Sequence, residues 1–154
     1  AREREIAAVA RLAAGMGPRD AVLIYPEGTR FSRDKLRQAV ERLRAGGDDG
    51  LAERAARMRR VLPPRPGGPL ALLGLTPPLD VVLLAHSGLE GATSLRDLWA
   101  GGLVGATVRV KVWRIPAAEV PADAEARLGW LYDRWLEVDQ WIQTVQANSS
   151  WAPK

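Results

Sequence analysis

Ala21-Val22-Leu23-Ile24-Tyr25-Pro26-Glu27-Gly28-Thr29-Arg30 joins an aliphatic run to a polar turn containing proline and glycine. The run predicts a buried strand over 21–25 that ends in a tight loop. In α/β folds, the loop at the carboxyl end of a buried strand is where ligands bind. This loop places a carboxylate, a glycine, a hydroxyl and a guanidinium at four successive positions, Glu27 to Arg30. Arg30 is a planar, permanently charged fork that can hold a phosphate through two parallel hydrogen bonds. Gly28 tolerates positive φ and lets a ligand or a second backbone come close. Thr29 offers a hydroxyl and a backbone N–H, and Glu27 can accept from a substrate hydroxyl or orient Arg30. The same residues also fit a polar turn closed by an internal Glu27–Arg30 ion pair. Residue chemistry alone leaves both readings open.

On either side of this stretch the pattern alternates between helix and strand. Residues 3–14 predict a helix, with Ile6, Val9, Ala10 and Ala13 on one face, stopped by Gly15, Gly17 and Pro18. Ser32 predicts the N-cap of a helix to Arg44, with Leu36, Val40 and Leu43 turned inward. After Gly46 to Gly50, a second basic helix is expected over 51–60, then a loop over 63–68 and a short helix over 69–74. Val81 to Ala85 reads as a second buried strand, and 94–99 as a short helix. Thr107 to Ile115 alternates, which predicts a half-buried strand with Val108, Val110 and Val112 inward and Arg109 and Lys111 outward. Asp123 is expected to cap the longest helix, to Gln146. Its stripe of Leu128, Leu131, Trp135, Val138 and Ile142 packs on the core, with Trp130 and Trp141 on the flanks. The expected fold class is α/β, a mixed and mostly buried sheet flanked by helices in three layers. The 154 residues form one domain, 1–154.

Composition excludes several chemistries. With no cysteine there are no disulfides, thiolate zinc sites or cysteine nucleophiles, and one histidine, His86, excludes a multi-histidine metal centre. Hydrophobic residues make up 47% of the chain, too many for disorder. No run approaches the roughly 18 apolar residues that span a bilayer. The charged opening Ala1-Arg2-Glu3-Arg4-Glu5 is not the pattern of a secretory signal peptide.

Ile24-Tyr25-Pro26-Glu27-Gly28-Thr29-Arg30-Phe31-Ser32 resembles the Pro-Glu-Gly-Thr-Arg block of the glycerolipid acyltransferases. That family is typified by 1-acyl-glycerol-3-phosphate (lysophosphatidic acid) acyltransferase. Arg60-Val61-Leu62-Pro63-Pro64-Arg65 is similar to the Leu-x-Pro-Arg segment of one branch. Asp80-Val81-Val82-Leu83 and Val110 to Pro116 resemble two later strands of that branch. The resemblance implies transfer of an acyl chain from acyl-CoA or acyl carrier protein to the hydroxyl of a lysophospholipid, in phospholipid biosynthesis. It implies no cofactor and no metal. Arg30 becomes the phosphate ligand, Glu27, Gly28 and Thr29 shape the acceptor pocket, and Arg65 is a second substrate contact. Partners are then the lysophospholipid, the acyl donor and an anionic membrane surface, with the chain peripheral on the cytoplasmic face.

In one respect the chain departs from that pattern. The family's His-x4-Asp pair, whose His deprotonates the acceptor hydroxyl while the Asp holds its tautomer, lies upstream of the Glu27 loop. Only 24 residues precede Tyr25, and none is histidine. His86 follows the loop with Gly91 five positions on and Glu90 a poor substitute, so it reads as an ordinary residue at a strand end. No catalytic residue is therefore expected in this chain, which reads as the carboxyl-terminal part of a longer acyltransferase, incomplete at its N-terminus. The alternative is a non-catalytic lipid- or phosphate-binding module of the same fold.

Ten basic and five acidic residues lie between Arg30 and Arg60, within a net charge of +4. Such a segment is either a solvated helical face or a surface for anionic lipid, where each basic residue adds about 1 kcal/mol. Nucleic acid is not expected as a partner, because no recognition motif accompanies the charge.

Overall fold

The computed structural model describes residues 19–89 and 104–149, with positions 11, 17, 99 and 101. Apart from Arg11 and Trp99, which are helical, the expected helices over 3–14 and 94–99 lie outside the described residues. The elements are α1 (Arg33–Ala45), α2 (Asp49–Arg57), α3 (Gly67–Leu73), β1 (Val81–Ser87), β2 (Arg109–Ile115), a 3-10 turn (Ala117–Glu119) and α4 (Ala124–Ser149).

Local chemistry sets most boundaries where the sequence places them. Ser32 caps α1, its Oγ accepting from Lys35 N at 3.3 Å. Asp34 in the first turn and Arg42 and Arg44 in the last oppose the helix dipole with the favourable signs. Asp123 begins α4 by accepting from Ala126 N at 2.8 Å. α2 stops at Arg57, three residues short of expectation. The N–H groups of Arg59, Arg60 and Val61 that would have continued it bond to Asp139 on α4 instead. A carboxylate from across the molecule thus outcompetes the helix's own carbonyls.

β1 and β2 form an antiparallel two-stranded sheet in which Leu83 faces Trp113, Ala85 faces Lys111 and Val81 faces Ile115. One face of this pair packs on α4, so Leu83, Ala85 and Ile115 join Tyr132, Leu136 and Val138 of α4 and Ala52, Ala55 and Met58 beside α2 in the core. Trp113 meets Trp141 of α4 edge-on, ring centroids 5.9 Å apart, and Lys111 Nζ lies 4.6 Å from the Trp113 ring centre. Asp80 closes the end of the sheet, accepting from Arg114 Nη2 at 2.7 Å and from Ala117 N at 2.9 Å. Those bonds, with Arg114 foremost, hold its carboxyl below the usual carboxylate range. The chain leaves β1 through Gly88 at φ +101°, where a Cβ would sit 2.1 Å from the Thr107 carbonyl oxygen.

Three expectations are corrected. The segment 21–25 is not a strand. It pairs with neither described strand, and Leu23 and Tyr25 are 76% and 81% exposed. Val22 and Ile24 are half-buried between them, so the aliphatic run lies one side against the protein without joining a ladder. β2 is turned over: Val110 and Val112 face solvent, while Trp113 and Ile115 face in. Burying a tryptophan and an isoleucine on one face removes more apolar surface from water than burying valines on the other. The sheet is accordingly not mostly buried. Val82, Leu84, Val110 and Val112 leave its second face exposed, and the described residues form a mixed α/β arrangement with helices on one side of the sheet. No described helix is long and apolar enough to cross a membrane.

Candidate functional site

The turn at Tyr25 to Gly28 is closed by a hydrogen bond from Gly28 N to Tyr25 O at 3.0 Å. Proline second and glycine fourth are the residues such a turn favours. Gly28 has φ +67°, in the left-handed region. The segment after α2 runs directly against the turn, with Arg65 N donating to Pro26 O at 2.8 Å. Glu27 is half-buried and points the same way, its Oε2 accepting from Leu62 N at 2.9 Å. Neither an ion pair with Arg30 nor a solvent-facing carboxylate is formed. The acid of this turn fastens a neighbouring segment.

Burial pushes the Glu27 carboxyl above its usual value, and the nearby Asp139 charge pushes the same way. The Leu62 N–H opposes them and is the smaller effect beside burial. A raised folded-state value means that the native chain holds this proton more tightly than the unfolded chain. Glu27's contribution to stability is therefore full below the usual value of 4.5 and is lost as pH rises through the raised one. Glu27→Gln, which keeps the acceptor for Leu62 N–H, is expected to flatten that fall. Denaturant titrations of both proteins across this acidic window check it. Parallel pH profiles for the two would refute the assignment.

The cations face outward. Thr29 Oγ1 accepts from Lys35 Nζ at 2.9 Å, and the same ammonium reaches the Arg30 carbonyl at 3.2 Å, so the first turn of α1 ties down the end of the loop. Arg30 is exposed, and its guanidinium has no hydrogen bond or ion pair among the described residues. The Arg65 side chain lies on Gly28, where a Cβ would come 3.1 Å from its Cζ and Nε. Gly28→Ala therefore has two costs, a strained backbone of about 1–2 kcal/mol and displacement of Arg65. It is expected to lower the denaturation midpoint and weaken anion binding together. Unchanged values for both would contradict the geometry.

The structure thus brings Glu27, Gly28, Thr29, Arg30 and Arg65 to one place, but gives Glu27 a structural task. His86 stands in β1 opposite Val110 with its side chain exposed, and Glu90 lies outside the described residues. Elsewhere in the basic segment, Arg37 pairs with Asp34 at 2.8 Å and Arg54 with Asp133 at 2.9 Å, which removes two of its cations from any free positive surface.

Sequence reasoning missed Lys35 and Asp139. Lys35 carried no signal beyond its membership of a basic helix. Asp139 did carry one: it lies four positions after Trp135 and three before Ile142, on the apolar stripe of α4. A charge at such a position needs partners, and Asp139, 1% exposed, has five hydrogen bonds. No family model matches the chain, and no curated protein and no solved structure matches it either.

Proposed function

We propose that this chain supplies the acceptor- and phosphate-binding part of an acyltransferase that acts on a lysophospholipid such as 1-acyl-glycerol 3-phosphate. The reaction is attack of the acceptor hydroxyl on the thioester of acyl-CoA or acyl carrier protein, releasing the thiol. The observation that carries the reading is the arrangement of charge on the turn. Its carboxylate is engaged inward by Leu62 N–H, while Arg30 is exposed without a partner among the described residues and the Arg65 side chain lies on Gly28 of the same turn. Two guanidinium groups are suited to bidentate contact with phosphate oxygens. The resemblance of residues 24–32 to the Pro-Glu-Gly-Thr-Arg block supplies the chemistry. An acceptor that lives in a bilayer agrees with work at an anionic, cytoplasmic membrane surface.

The second reading is a non-catalytic lipid- or phosphate-binding module. It is favoured by a specific observation: His86, the chain's sole histidine, has glycine where the family's Asp would stand. One experiment tests the binding that both readings share, and a second separates them. Wild-type protein is expected to bind 1-acyl-glycerol 3-phosphate, and Arg30→Ala to bind it less well; equal binding by the two defeats both readings. Transfer of a labelled acyl group from acyl-CoA, by a protein that includes an upstream in-frame His-x4-Asp pair, distinguishes the enzyme from the module.

A further inference from the structure

We propose that Asp139 is a positioning residue for the anion-binding turn, fixing the segment whose far end lays Arg65 on Gly28. The inference rests on the reading of that turn as an anion site. Asp139 Oδ1 accepts from Arg59 N at 2.9 Å, Arg60 N at 2.6 Å and Val61 N at 3.1 Å. Its Oδ2 accepts from Arg59 N at 3.1 Å and from Gln143 Nε2 at 2.6 Å. The next N–H, that of Leu62, goes to Glu27. Two carboxylates therefore take four consecutive backbone N–H groups, one carboxylate from α4 and one from the turn itself.

Residues 61–64 form a stiff arm. Val61, Leu62, Pro63 and Pro64 are all buried, and two successive prolines restrict the backbone to a narrow range of φ. At the end of the arm the Arg65 N–H bonds to Pro26 O, and the side chain lies across Gly28. A shift at residues 59–61 has no flexible link in which to dissipate before it reaches Arg65. Asp139 has no hydrogen bond to the turn, and its charge reaches Glu27 only through space, so any effect it has on where Arg65 lies passes through this arm. That makes the effect separable from simple destabilisation.

A double-mutant cycle on the whole chain reads the coupling, with sn-glycerol 3-phosphate as the calorimetric probe at low ionic strength. Asp139→Asn preserves shape but replaces one accepting oxygen with a donor and removes the charge that strengthens the rest. It is expected to weaken binding by about tenfold in the wild-type background and by less than about twofold beside Arg65→Ala. An equal loss in both backgrounds, or no loss at all, overturns the proposal. Should Asp139→Asn fail to fold, Gln143→Ala removes only the outer hydrogen bond. Its expected loss of about threefold must likewise vanish beside Arg65→Ala, and a loss that persists there overturns the proposal. If wild-type protein does not bind the probe, the reading of the turn falls and this inference with it. If it binds without the coupling, the inference alone falls.

Discussion

Asp139→Ala is expected to lower the free energy of unfolding by about 3 kcal/mol, more than any other single change proposed for this chain. The carboxylate is buried on α4 and accepts from three successive backbone N–H groups that lie 78 to 80 residues earlier in the chain. Alanine leaves all three without an acceptor. Arg59 and Arg60 are exposed residues whose N–H groups can rehydrate, and each loss is then about 1 kcal/mol. Val61 is buried, so its N–H bears more of the desolvation penalty. Removing a buried charge relieves its own desolvation, which keeps the total below the sum of the separate bonds. In a chain of this length such a loss lowers Tm by about 6–12 °C. Thermal unfolding followed by circular dichroism measures it. A change below about 1 kcal/mol would mean that the segment 59–61 finds other partners.

Arg30→Ala is expected to weaken binding of 1-acyl-glycerol 3-phosphate by about tenfold to a hundredfold, and to leave stability within about 0.5 kcal/mol. The two expectations have one cause. Arg30 is exposed and its side chain holds nothing among the described residues, so the folded state loses no bond with it. A guanidinium on a phosphate makes charge-assisted hydrogen bonds of about 1.5–3 kcal/mol, and that is what the ligand loses. Arg30→Lys keeps the charge without the fork and is expected to fall between the two. Added salt should shrink the difference between wild type and alanine, since the contact is exposed. Equilibrium binding at two ionic strengths, paired with denaturation of both proteins, decides the matter. A large loss of stability in Arg30→Ala would show that the residue is structural after all.

The helices were legible because their signals are local. Ser32 and Asp123 cap α1 and α4, and the inward stripe of α1 at Leu36, Val40 and Leu43 is buried or half-buried where a period of 3.6 places it. The strands were legible in position and not in orientation. Alternation marks β2 but cannot say which face is inward, and that was decided by Trp113 and Trp141 meeting across the core. The run over 21–25 misled because an aliphatic segment looks the same whether it joins a ladder or rests one side on its neighbours.

By itself the sequence determined which residues could recognise an anion. Glu27, Gly28, Thr29 and Arg30 are adjacent in the chain, and their donors and conformational freedom belong to their types. Only the tertiary structure decided what each one does. It turned Glu27 inward to Leu62, laid Arg65 on Gly28, brought Lys35 to Thr29, and revealed that Asp139 holds the segment connecting them. The physical reason is range: side-chain chemistry and helix periods act over a few residues, whereas the partner of a buried carboxylate is set by packing across some eighty.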